Sequence, residues 1–83
     1  MSISKAAALG QVWEWGCNGK MVNIYLLINV EGDYCNGIIL DSSHYRNEAF
    51  LRGCHQIDAI DSIKEGASVI ITTRHHYYWK RIA

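Results

Sequence analysis

Hydrophobic and polar positions alternate most regularly between residues 21 and 30, MVNIYLLINV. Under a period of two, Val22, Ile24, Leu26, Ile28 and Val30 share one face, and Asn23, Tyr25, Leu27 and Asn29 share the other. The pattern predicts a central or near-central β-strand. Upstream, QVWEW at 11–15 reads as a first strand. It reaches the second through GCNGK, where Asn18-Gly19 suits a tight turn because both residues tolerate positive φ. Downstream, EGD at 31–33 reverses the chain into YCNGIILD. There Tyr34, Asn36, Ile38 and Leu40 alternate with Cys35, Gly37, Ile39 and Asp41, and Gly37 is a candidate bend or bulge. The second and third strands are expected to pair as a hairpin.

The middle segment, SSHYRNEAFLRGCHQIDAIDSIKEG, admits two readings. Tyr45, Ala49, Phe50 and Leu51 fit a helical stripe, whereas EAFLRGCHQI fits a strand bent at Gly53. Ser62 and Glu65 have capping-box spacing, and Gly66 follows at once, so one short helical turn is expected there. ASVIITT then resumes strand chemistry. If that strand runs unbroken through RHHYYWKRI, Val69, Ile71, Thr73, His75, Tyr77, Trp79 and Arg81 form the inner face, and Arg74, His76, Tyr78 and Lys80 stand together outside. A turn near Arg74 to His76 would instead make a terminal hairpin and dissolve that grouping. Residues 1–10 read either as a helical turn opened near Ser4 and stopped by Gly10, or as an arm.

Five or so short strands, no proline and no long βαβ crossover indicate a mainly β fold, a small antiparallel barrel or rolled sheet with a short helical turn. Eighty-three residues suffice for one core, so 11–83 is expected to form a single β domain preceded by the arm 1–10. From residue 10 to 83 the layout resembles an SH3-like barrel, an analogy of architecture that assigns no function.

Composition narrows the functional classes. Hydrophobic residues make up 49% and charged residues 19%, which argues for a folded chain. Eight basic and eight acidic residues balance, which excludes a protein-wide positive field. A local imbalance survives: seven acids against three bases from Glu31 to Glu65, and three bases with no acid from 74 to 83. The odd set Cys17, Cys35 and Cys54 favours a reducing compartment. IYLLINV is too short for a membrane-spanning helix, and MSISKAAALG lacks the apolar length of a secretion signal. A cytoplasmic protein with no membrane partner is expected.

Candidate chemistry is sparse. Cys17, Cys35, Cys54, His44, His55, His75 and His76 supply ligand atoms but no CxxC pair, so no metal or other cofactor is assigned. Cys54 precedes His55, yet neighbours on a strand project oppositely, and no catalytic residue is assigned from that pair or from His44 or His76 with an acid. GQVWEW followed by an apolar strand resembles the opening of compact barrel toxins of the MazF and PemK type. That resemblance implies RNA cleavage, with arginine stabilising phosphate charge and histidine or threonine handling a proton. No complete catalytic set carries over residue by residue.

Recognition is better supported. Tyr25 and Tyr78 are the contact candidates, joined by Arg74, His76 and Lys80, while Trp79 and one of Trp13 or Trp15 are assigned to packing. Tyr25 and Leu27 lie opposite the aliphatic face of the second strand, either covered by the middle segment or forming an apolar patch. The expectation is a non-enzymatic protein-binding module, a small inhibitor or accessory factor of a phage or mobile element. It binds another protein and pairs with itself as a homodimer. The alternative is a single-stranded RNA-binding or RNA-cleaving barrel using Arg74, His76, Tyr78 and Lys80.

Overall fold

A computed structural model describes residues 7–44, 51–66, 68–72 and 75–83, with backbone alone for 68–72 and His75. Six strands, β1 (Val12–Cys17), β2 (Lys20–Glu31), β3 (Tyr34–Ser42), β4 (Cys54–Ala59), β5 (Ser68–Thr72) and β6 (His75–Arg81), form one antiparallel sheet in the order β4-β3-β2-β1-β6-β5. The fold is mainly β, as the alternation requires. Asn18 (φ 52°) and Gly19 (φ 79°) are both left-handed, the geometry that lets a two-residue turn follow the twist of β1 and β2. Gly32 (φ 62°) does the same between β2 and β3.

The link from β4 to β5 shapes the sheet. These strands are its opposite edges, which in a flat sheet of this order would stand about 24 Å apart at roughly 4.8 Å per strand. Residues 60–67 must bridge that span while spending length on a 3-10 turn at Ile60–Ser62 and a further turn at Glu65–Gly66. The sheet therefore rolls. The edge strands do not pair with each other, so the roll stays open.

Ile63, on this link, is fully buried, and the Ala7 N–H donates to its carbonyl at 3.1 Å. Beneath the link sit Trp13, Tyr25, Leu27, Cys35, Ile39 and Trp79, with Trp15, Leu51, Ile57 and Ile60 packed at the margin. Burial pushes the Cys35 thiol pKa up. All three cysteines are free. Among the described residues, no helix is long and apolar enough to cross a membrane.

Three expectations are corrected. The short helical turn exists but lies at Ile60–Ser62, starts from Ala59, and has no side-chain cap, so Ser62 does not open a capping box. Of the two readings of residues 69–82, the unbroken strand gives way to the terminal hairpin: Ser68 pairs with Tyr78 and Ile70 with His76, so the chain reverses between Thr72 and His75. The third concerns Tyr25, expected as a contact residue, which is buried with Asn23 and Leu27 on one face of β2, whereas Val22, Ile24, Leu26 and Ile28 are half-buried and Val30 is exposed. In the middle segment the strand holds for Cys54–Ala59, whereas Leu51 of the helical stripe is helical. The rest of that stripe, Tyr45, Ala49 and Phe50, falls outside the described residues, as do Ser4 and Arg74.

Candidate functional site

The facing of β2 follows from β1. In VWEW the tryptophans and Glu14 take opposite faces, and a carboxylate is not buried without a partner. Pairing carries this parity across the sheet, because Trp13 opposes Tyr25 and Trp15 opposes both Asn23 and Trp79. The large rings thus gather on the inner face, with Tyr25 and Trp79 centroids 5.8 Å apart. Tyr25, 8% exposed, is a core residue rather than a contact residue. Its hydroxyl accepts from Asn23 Nδ2 at 2.8 Å; burial raises the phenol pKa and that bond partly offsets the rise.

The outer face receives the aliphatic side chains instead. Register aligns Val12, Leu26 and Ile38 in one row across three strands. Ile82 extends the row, its N–H donating to the Val12 carbonyl at 2.8 Å while half its surface stays exposed. None of these four residues belongs to the buried cluster. The next row runs Lys80, Glu14, Ile24 and Asp41. An apolar strip bordered by charges of both signs results.

Of the predicted contact residues, His76, Tyr78 and Lys80 keep the expected outward parity on β6, and His76 and Lys80 are exposed. Trp79 is buried between them as expected. Tyr78 lies across Gly16, where a Cβ would stand 2.0 Å from its ring, so only glycine leaves room for the ring to lie against β1. From there the phenol donates to Glu14 Oε2 at 2.6 Å. That bond, with burial and the carboxylate charge, pushes its pKa up to about 12. Tyr78 is a fixed post at the strip's edge, not a swinging side chain.

Sequence reasoning missed the row Ile82, Val12, Leu26 and Ile38. The signal was present in the Trp-Glu-Trp alternation, which sets parity more firmly than a count of aliphatic residues. No group of three or more histidine, cysteine, aspartate or glutamate side chains converges among the described residues. Comparison with protein-family models, curated proteins and solved structures returns no match.

Proposed function

We propose that the chain is a cytoplasmic, non-enzymatic protein-binding module that occupies a partner's surface with the outer face of its sheet. The row Ile82, Val12, Leu26 and Ile38 carries this reading, since these aliphatic groups keep solvent exposure outside the core although the chain places an aromatic set inside. Apolar centre, charged border and a tyrosine held rigid at the edge match the anatomy of a recognition patch. Rigidity matters because a side chain already fixed loses little entropy on binding. The partner presents a complementary apolar surface, and a second copy of this chain meets that description.

A nucleic-acid reading draws on Tyr78, His76 and Lys80 sharing one face of β6. Glu14 opposes it, because its carboxylate sits against the Tyr78 hydroxyl where a phosphate backbone would approach.

Light scattering on the purified chain, with affinity capture from the source lysate, tests the proposal against the variant Leu26→Thr/Ile82→Asp. These changes keep β-compatible or exposed positions while removing apolar surface, so circular dichroism should be unchanged. Self-association or capture of a defined protein should weaken by roughly 10-fold or more. A strictly monomeric wild type whose capture profile the variant does not alter overturns the proposal. Salt-sensitive retention of single-stranded RNA without protein capture favours the alternative.

A further inference from the structure

A second feature lies at the end of the roll where the β1–β2 turn, the start of β6 and the residues after β3 meet. It is a cleft of about 870 Å³, within the roughly 300–1,000 Å³ typical of small-molecule sites. Trp15 and Tyr77 form an aromatic wall, their rings 4.9 Å apart and 2° from parallel. Met21 and Cys17 add apolar surface, and Lys20 and His44 also line it, with no carboxylate among the described lining residues.

Asn23 also lines the cleft. It is 6% exposed, its Nδ2 donates to the Tyr25 hydroxyl, and its Oδ1 is buried with no hydrogen-bond partner. A native interior rarely leaves such an acceptor unmet, and an unmet one calls for an explanation. Oδ1 is the unmet group, so a molecule that satisfies it must bring an N–H or O–H.

We infer that this cleft binds a flat aromatic heterocycle bearing a ring N–H, neutral or anionic, which lies along the Trp15–Tyr77 wall and donates to Asn23 Oδ1. The aromatic wall selects for flat rings, the unmet Oδ1 selects for a donor, and described lining residues that include Lys20 but no carboxylate disfavour cations. The oxygen is closed off from solvent in this conformation, so contact needs a neighbouring side chain to move.

Indole and 1-methylindole, which differ at the ring nitrogen, test the inference by titration of ¹⁵N-labelled protein followed by NMR. Indole should shift the Trp15 indole N–H, the Asn23 side-chain amide and the Cys17 backbone amide, and 1-methylindole should bind roughly 10-fold more weakly. Asn23→Ala should erase the difference between the probes. The wild-type comparison stands alone if that variant does not fold. Equal affinity for the two probes, no shift at millimolar indole, or shifts confined to Leu26 and Ile38 overturn the inference. Leu26→Thr/Ile82→Asp should leave indole binding unchanged, which separates this site from the protein-docking face.

Discussion

At the scale of one residue, the Tyr78 phenol shows how a local contact sets a measurable property. Its proton lies between its own oxygen and Glu14 Oε2, so losing it would set a phenolate against a carboxylate. The phenol should therefore titrate near pH 12 in the folded protein, and move back toward 10 in Glu14→Gln. Ultraviolet absorbance of the phenolate, with Tyr78→Phe as the reference, reads this directly. The folded pKa lies above the unfolded one, so the contribution to stability is present below pH 10 and is lost as pH rises from about 10 to about 12. Denaturant midpoints should fall across that window in the wild type and fall less in Tyr78→Phe. Sequence parity already placed Tyr78 outward. Its bond to Glu14 was not legible, because the partners are 64 residues apart and meet only once β6 pairs with β1.

At the scale of one element, β2 holds neighbouring leucines with opposite fates. Leu27 is 1% exposed in the core, whereas Leu26 is half-buried on the outer row. Leu27→Ala should cost about 2–5 kcal/mol, as expected for a cavity in a packed interior. Leu26→Ala should cost clearly less, about 1 kcal/mol, because the space it vacates is open to solvent. Equal losses in chemical denaturation would mean that the outer face is covered as completely as the inner. Strand identity and hairpin pairing were legible in β2 because period-two alternation and the Asn18-Gly19 turn act locally. Its facing was left open, because both faces carry apolar side chains. A tyrosine and an asparagine that share a hydrogen bond can be buried together, and isolated hydropathies do not register that bond.

At the scale of the whole molecule, the link between the sheet's edges closes the core. Ile63 belongs to no strand, yet it is fully buried over the aromatic cluster, and its carbonyl receives the Ala7 N–H. Ile63→Ala should destabilise by about 2–5 kcal/mol, as much as a core strand position. Exposed Lys64 next to it should tolerate alanine within about 0.5 kcal/mol. Thermal unfolding of the two variants checks the contrast, and matching midpoints would show that the link does not seal the core. Glu65 Oε1 accepts from the Arg81 N–H at 2.7 Å and the Gly66 N–H donates to the Trp79 carbonyl at 3.3 Å, so the same link supports the free side of β6 beyond its pairing with β5.

The sequence by itself determined that this chain is mainly β, where β2 and β3 run and turn, that Trp79 is buried, and that His76, Tyr78 and Lys80 face the other way. All of these depend on contacts between near neighbours or on the fixed two-residue period of a strand. Tertiary structure alone decided which face of β2 is interior, that residues 68–81 fold back as β5 and β6, and that Val12, Leu26, Ile38 and Ile82 meet in one row. Those outcomes depend on register between strands distant in sequence and on which large rings can share one enclosed volume. Such constraints exist only when the whole sheet is assembled.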